Sequence, residues 1–255
     1  MFKISKYVFL SMLKSKTLIA YTLFLLLISL GFFMFESDVS KAITGLLNIV
    51  LIVVPLVTII FTTIYFYNST EFIELMLAQP ISRKTIFYGE VFGVSFAMLS
   101  AFLIGVGLPI ILYSASGVGM TLFFVGVLQS MIFVALAFLS SVMTRDKAKG
   151  IGVSLMLWFY FSIIYDAIVL AILFAFNDYP LDTVTIVLSS LNPIDLSRII
   201  VLLQLDVSAL MGFTGALYKS FFSEGFGIIV ALCCELLWIV IPILIAYRVF
   251  KKRNW

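Results

Sequence analysis

The chain has 255 residues, of which 63% are hydrophobic and only 11% are charged, and its formal net charge is +3. A soluble domain carries about 25% charged residues, so a lipid bilayer is the expected solvent for much of this chain. The small net charge gives no indication of a nucleic-acid partner. The chain also lacks histidine, the commonest general base and a common metal ligand, which argues against an enzyme active site.

Six apolar segments are each long enough to cross a hydrocarbon core of about 30 Å as a helix. They predict an all-α membrane protein with six transmembrane helices, in a single transmembrane domain over residues 1–255. The first segment is too long for a signal-peptide core, so we interpret it as a retained helix. The six segments are Thr17–Phe35, Ile43–Tyr67, Ile86–Tyr113, Met120–Met143, Gly150–Phe176 and Phe226–Phe250.

The distribution of lysine and arginine predicts the orientation of the chain. Six spans place both termini on one side, and thirteen of the sixteen basic residues fall on that side. The positive-inside rule then predicts that both termini lie in the cytoplasm. The basic residues on the opposite side are Lys41, Arg198 and Lys219.

Residues 1–16 combine apolar side chains such as Phe2 and Tyr7 with cationic ones such as Lys6 and Lys14. This pattern is typical of an amphipathic helix that lies in the membrane interface. A simple helical extension of the first span is the alternative, and both interpretations stay open at this point.

The cytoplasmic loop between the second and third spans, residues 68–85, predicts a short amphipathic helix. Glu71 and Glu74 suit a first helical turn, and Pro80 ends the helix. The apolar stripe is too small to form a core, so a partner protein is expected to bury it; a helix resting on the bilayer is the alternative. The residues expected at this contact are Glu71, Phe72, Glu74, Leu75, Met76, Arg83 and Lys84.

The outer segment between the fifth and sixth spans, residues 177–225, predicts short helices. Asn192 and Pro193 mark a helix start, because asparagine caps a helix and proline suits its first position. The helix that follows is amphipathic, so it lies on the outer interface or caps a central cavity. Its neighbour Val207–Tyr218 is apolar but too short to cross, which favours a re-entrant hairpin.

Three acidic residues, Glu90, Asp166 and Glu235, fall within predicted spans. Placing an ionisable side chain at the centre of a membrane helix raises the free energy of insertion by about 2.5–3.5 kcal/mol, so each of these residues is a candidate for a functional role. Glu90 lies near the cytoplasmic end, and we expect a structural role for it, pairing with Arg83 or Lys84.

Asp166 lies deeper than Glu90 and close to Tyr160 and Tyr165, which makes it a candidate for a buried polar network. Glu235 lies near the middle of the last span, where no lysine or arginine is available to pair with it. It is expected to be protonated, hydrogen-bonded to a hydroxyl or facing a wet cavity. A role in transport or conformational switching is open for both residues.

Adjacent cysteines, Cys233 and Cys234, precede Glu235 and invite a Cu(I) interpretation because thiolates suit that ion. Neighbouring residues on a helix point about 100° apart, so the two cysteines of one chain cannot both coordinate the same copper ion with good geometry. We therefore predict no metal site, no cofactor and no catalytic residue in this chain.

This layout resembles the ABC-2 class of transporter permeases, which implies an ABC-2, type V exporter-like fold. Within that class, the stretches LAQPISRKTIFYGEVFG and SSLNPIDLSRIIVLL are similar to permeases of the NosY type. Such permeases belong to the transporter that matures nitrous oxide reductase with copper. The resemblance implies a multi-pass protein of the bacterial inner membrane that forms homodimers.

The resemblance also implies partners. A separate, NosF-like ATPase subunit would bind the helix around Glu71–Ala78, with the loop Thr144–Lys149 as a minor contact, and no phosphate-binding loop occurs in this chain itself. A NosD-like periplasmic β-helical protein would dock on the outer face, where Asn192, Asp195 and Arg198 lie. Two alternatives stay open: an ABC-2 exporter of a drug, lipid or polymer, and an ATP-independent membrane scaffold or sensor.

Overall fold

The computed structural model describes residues 1–115, 117–176, 182–205 and 225–253. Within those ranges the chain forms twelve α-helices, with π-helical turns at Leu103–Gly107 and Tyr160–Ile164. The α-helices are α1 (Phe2–Leu13), α2 (Lys16–Phe35), α3 (Val39–Asn68), α4 (Thr70–Leu77), α5 (Arg83–Phe102), α6 (Leu108–Tyr113), α7 (Gly117–Met143), α8 (Lys147–Phe159), α9 (Tyr165–Ala175), α10 (Asp182–Leu191), α11 (Pro193–Gln204) and α12 (Gly225–Lys252).

Six helical segments of the described chain are long and apolar enough to cross a membrane, which confirms the six predicted spans. The third and fifth spans each join two α-helices through a π-helical turn, so hydropathy detects them as single segments. In chain order the spans are Lys16–Phe35, Val39–Asn68, Arg83–Tyr113, Gly117–Met143, Lys147–Ala175 and Ile229–Lys252.

Both ends of the described chain lie at the same end of the helix bundle, which we call the terminal end. The Arg83 guanidinium, at the start of the third span, donates to the backbone carbonyls of Lys251 (2.6 Å) and Arg253 (3.1 Å). The Arg253 guanidinium donates in turn to the carbonyls of Val142 and Thr144. The loop after the second span, the loop after the fourth span and the C-terminus therefore share one surface.

The N-terminal helix is a separate helix that packs along the third span. Gly89 and Gly93 lie one turn apart on that span, and the absence of side chains lets Ile4 and Val8 of α1 come into close contact. The helix is then interrupted before Ser15, whose hydroxyl caps α2 by accepting a hydrogen bond from the Leu18 amide (3.2 Å). A simple extension of the first span is therefore wrong, and how deep α1 lies relative to the lipid stays a prediction.

The centre of the bundle is formed by the second, third and fourth spans. In the fourth span 67% of the residues in its most apolar stretch are buried within the chain, whereas in the fifth span only 11% are. The fifth span is held mainly near the terminal end, where the Ser154 hydroxyl bonds to Thr63 and Ser140 (both 2.7 Å). It contacts the second span as far as Trp158, whose indole N–H donates to the Ile52 carbonyl (3.1 Å), and the π-helical turn that follows packs against α11.

Candidate functional site

The short helix α4 follows the second span after a break at one residue, Ser69, whose hydroxyl donates to the Phe66 carbonyl (3.0 Å). Ile73 and Met76 are buried against the bundle. The Phe72 ring lies 5.0 Å from the Tyr7 ring of α1. The predicted helix in this loop is therefore confirmed, and one of its faces is already covered by the chain itself.

This packing corrects the predicted composition of the partner-binding stripe. Phe72 and Met76 turn towards the bundle, whereas Leu75 projects outward with 67% of its surface exposed. Glu71 and Glu74 flank it on the exposed side. We call these three residues, Glu71, Glu74 and Leu75, the α4 surface; that it binds a partner stays a prediction.

The loop between the fourth and fifth spans lies beside the α4 surface. The Tyr67 and Thr144 hydroxyls are hydrogen-bonded (2.5 Å), and the Lys147 ammonium donates to the Asn68 side-chain oxygen (2.8 Å). Asn68 is only two residues before the start of α4. The two segments expected to contact an ATPase are thus neighbours on one surface, whereas nearby Arg83 is occupied by the C-terminal carbonyls.

Glu90 is buried where α1 packs on the third span, with 2% of its surface exposed. Neither of its carboxylate oxygens has a hydrogen-bond partner in the described part of the chain. The expected pairing with Arg83 or Lys84 is wrong, because Arg83 reaches towards the C-terminus and the Lys84 side chain is exposed.

The helices α10 and α11 form a hairpin that bends by 113° at Asn192. The predicted helix start is confirmed: the Asn192 side chain accepts from the Ile194 amide (3.1 Å), and Pro193 occupies the first helical position. The Asn192 amide group also donates to the Phe161 carbonyl (2.9 Å) in the π-helical turn of the fifth span. Asn192 is fully buried, so the bend lies inside the protein.

The hairpin inserts about halfway along the bundle. At its tip, the Gln129 amide group donates to the Pro193 carbonyl (2.8 Å), and Gln129 lies about 18 Å along the fourth span from its start. At the outer end of α11, the Gln204 side chain accepts from Thr121 (3.0 Å). The tip of the hairpin therefore lies among the spans, where a helix on the outer interface would not reach; that α11 is re-entrant, and whether it caps a central cavity, stay predictions.

The prediction placed the re-entrant segment at Val207–Tyr218, which lies outside the described residues. A signal for the observed hairpin was present in the sequence: residues 183–194 carry no charge and contain an Asn-Pro break in their apolar pattern. That combination lets the chain enter a low-dielectric region, turn and return.

Buried polar side chains connect the hairpin to the fourth and sixth spans. Gln129 donates to the Ser197 hydroxyl (2.7 Å), and this hydroxyl donates to the Glu235 carboxyl group at Oε1 (2.6 Å). All three side chains are fully buried. Of the alternatives for Glu235, the hydrogen bond to a hydroxyl is confirmed.

An ion-pair cluster joins the hairpin to the fifth span. Arg198 contacts Asp166 (3.1 Å) and Asp195 (2.9 Å), and Asn192 donates to the second oxygen of Asp195 (2.9 Å). The side chains of Asp166 and Arg198 are each 31% exposed. Asp166 thus takes part in a polar network as expected, but the network is only partly buried. Docking of a periplasmic partner on Asn192, Asp195 and Arg198 stays a prediction.

Replacing Arg198 with glutamine should destabilise the protein by about 2 kcal/mol, because Asp166 and Asp195 lose their shared cation while partly buried. Adding Asp166→Asn should recover at least half of the loss, since one of the two repelling charges is removed. Thermal unfolding of the purified single and double variants measures both effects. Strictly additive losses would show that Arg198 acts through packing and not through its charge.

The described residues contain no group of three or more Cys, Asp or Glu side chains placed to hold a metal ion. Cys233 is exposed, whereas Cys234 is half-buried and lines an apolar cleft beside Trp238. The two thiols therefore occupy different surroundings, as expected of adjacent residues on one helix.

Comparison with known proteins supports this architecture. A family model described as ABC-2 family transporter protein matches residues 70–255. The chain is similar to a "probable ABC transporter permease protein NosY" of Stutzerimonas stutzeri, with 25% identity over 85% of this chain and 82% of the relative. It is also similar to the protein of the same name in Pseudomonas aeruginosa, with 26% identity over 78% of this chain and 80% of the relative.

Proposed function

The chain belongs to the ABC-2 transporter family and is a multi-pass permease, and from this premise we propose that it couples ATP hydrolysis in a separate subunit to a conformational change across the inner membrane. The observation that carries the proposal is the α4 surface. There, one exposed leucine between two glutamates projects from a helix that is otherwise packed onto the bundle. Its position supports a protein contact, because α4 lies next to the loop after the fourth span and on the same end of the bundle as the C-terminus, where an amphipathic helix can dock on a partner.

The packing around α4 supports a route for the coupling. On one side α4 continues from the second span through Ser69. On the other side its Phe72 contacts Tyr7 of α1. The helix α1 in turn packs closely on the third span at Gly89 and Gly93. A displacement of α4 by an ATPase subunit would therefore act on both the second and the third span.

In this proposal both termini lie in the cytoplasm and two copies of the chain form a homodimer. The excess of lysine and arginine at the terminal end supports that orientation. It places the α4 surface in the compartment that contains ATP, and the hairpin opens to the opposite side.

The finer proposal is a NosY-type role with a NosF-like ATPase and a NosD-like periplasmic protein, in maturation of the copper sites of nitrous oxide reductase. It is supported by the two relatives named as NosY permeases. Copper is then cargo of the pathway, and this chain acts mechanically on the periplasmic partner without ligating the metal.

A general ABC-2 exporter of a lipid or another apolar compound is the second candidate. It is favoured by an apolar cleft of about 260 Å³ between the hairpin and the sixth span. Its lining residues are Ser190, Leu191, Cys234, Leu237, Trp238, Ile241 and Pro242.

Purification of the tagged chain from its native membrane in mild detergent, followed by mass spectrometry, tests these proposals. An ATPase subunit together with a periplasmic β-helical protein is the result expected for the NosY-type role. An ATPase subunit alone would favour the general exporter. A folded preparation that contains neither would contradict the transporter proposal and favour an ATP-independent scaffold or sensor.

A further inference from the structure

The buried polar chain Gln129–Ser197–Glu235 is incompletely satisfied. The Ser197 hydroxyl has one proton to donate, and it donates this proton to Oε1 of Glu235. Oε2 of Glu235 and Oε1 of Gln129 are buried and have no hydrogen-bond partner in the described part of the chain. Two acceptor atoms therefore lie in the middle of the bundle without a donor, which is costly in a low-dielectric environment.

Within the described part of the chain, no cation lies where it could compensate an ionised Glu235. The fourth span, which makes the largest contact with α12, contains no titratable residue. On α11 the only charged groups are Asp195 and Arg198, and that arginine is bound to carboxylates. The remaining titratable groups on the described elements packed against α12, and on α12 itself, are Arg83, Lys84, Tyr88 and Glu90 of α5, Tyr160 of the π-helical turn whose Phe161 ring contacts Trp238, Asp182 at the outer start of α10, and Cys233, Cys234, Tyr247, Arg248, Lys251 and Lys252.

We propose that Glu235 is a proton-binding site: it carries a proton on Oε2 while the hairpin is inserted, and loss of this proton releases the hairpin tip. A neutral carboxylic acid still accepts from Ser197 and avoids the several kcal/mol that an unpaired buried charge costs. When the hairpin residues that cover Glu235 move away, water reaches Oε2 and accepts its proton. The carboxylate stays hydrated only in this open position, so a high pH favours the released hairpin.

The consequence is a bundle whose re-entrant hairpin responds to protonation. The hairpin tip is held by Gln129 on the fourth span, Glu235 on the sixth and the Phe161 carbonyl on the fifth. An ionised Glu235 makes the inserted position of the hairpin unfavourable, because Oε2 would be a buried charge without a donor, and the three attachments then open together. Movement is therefore expected to be local to residues 184–204, and the central spans should be unaffected.

Hydrogen–deuterium exchange of the purified full chain in lipid nanodiscs tests this proposal. The native chain and Glu235→Gln, which stays neutral, are compared at about pH 6 and about pH 9, with exchange expressed as protection relative to the intrinsic amide rate. At the lower pH the two proteins should protect residues 184–204 equally. At the higher pH the hairpin of the native chain should lose about tenfold in protection, and that of Glu235→Gln should not.

The matched control is Glu90→Gln, which replaces the other buried carboxyl group of the described residues, on α5, which does not pack against α10 or α11. It should leave the pH response of the hairpin unchanged. Equal protection of the native chain and Glu235→Gln at the higher pH would overturn the proposal, as would loss of the response in Glu90→Gln.

If Glu235→Gln fails to fold, Asp195→Asn decides the question, because it removes the carboxyl group that α11 itself carries and leaves Glu235 in place. Protection of residues 184–204 in this variant must then fall between the two pH values while protection of the third span, residues 83–102, is constant. A hairpin whose protection does not change would overturn the proposal. The experiment contains neither an ATPase subunit nor copper, so its outcome is independent of the proposed function.

Discussion

Replacing Gly93 with leucine should detach the N-terminal helix from the bundle. An ideal Cβ at this position would lie 2.5 Å from Cβ of Val8 and 2.9 Å from the backbone oxygen of Ser5. Because one of the two obstacles is backbone, a change of side-chain rotamer cannot relieve the overlap, and overpacking of this kind costs about 3 kcal/mol. Detachment would expose the α1–α2 junction, so tryptic cleavage at Lys14 and Lys16 should accelerate about tenfold.

Gly31→Leu is the matched control for this prediction. Gly31 lies within the first span, and a Cβ there would meet no atom within 4 Å. The same substitution should leave the cleavage rate at the junction unchanged. If Gly93→Leu is cleaved no faster than Gly31→Leu, the close packing of α1 on the third span is not what holds this helix.

Replacing Leu75 with alanine should weaken binding of the ATPase subunit about tenfold or more. Leu75 is the large apolar side chain that α4 leaves exposed, and two exposed glutamates, Glu71 and Glu74, flank it. Truncation removes apolar area from the centre of the proposed contact and changes nothing inside the bundle. Affinity is measured by titrating the purified ATPase subunit onto the permease in nanodiscs.

Leu27→Ala provides the comparison. Leu27 is exposed to a similar degree, 69% against 67% for Leu75, but lies within the first span. Its truncation should leave the affinity for the ATPase subunit unchanged. Equal effects of the two substitutions, or none from Leu75→Ala, would show that the α4 surface is not the binding contact.

The six spans could be predicted from the sequence because lipid imposes one requirement on all of them. A helix that crosses the hydrocarbon core needs about 20 apolar residues whatever its neighbours are, so hydropathy alone locates it. The hydroxyl partner of Glu235 was among the expectations for the same reason, since no lysine or arginine lies near enough in the sequence to pair with it.

The α4 surface could be predicted only in part. Helical periodicity places Phe72, Leu75 and Met76 on one stripe, but it cannot show that α1 lies against part of that stripe. The contact between α1 and α4 depends on two glycines in the third span, far from both helices in the sequence. Which residues stay exposed is therefore a property of tertiary packing.

The hairpin was missed because length was used as the criterion. Neither α10 nor α11 is long enough to cross the membrane alone, so the sequence left α11 either on the outer interface or capping a central cavity and placed the re-entrant segment in its neighbour. What stabilises the insertion is polar: Gln129 and the Phe161 carbonyl provide partners for the tip, and they belong to two different spans. Such partners are visible only once the spans are assembled.

Site-specific photo-crosslinking from position 75 in native membranes tests the central claim most directly, that this permease receives its ATPase subunit at the α4 surface. A photoreactive amino acid replaces Leu75 in one variant and Leu27 in the other, and the crosslinked products are identified by mass spectrometry. An ATP-binding-cassette subunit captured at position 75 and not at position 27 is the predicted result. Capture of only lipid at position 75 in a correctly folded, membrane-inserted protein would contradict the account.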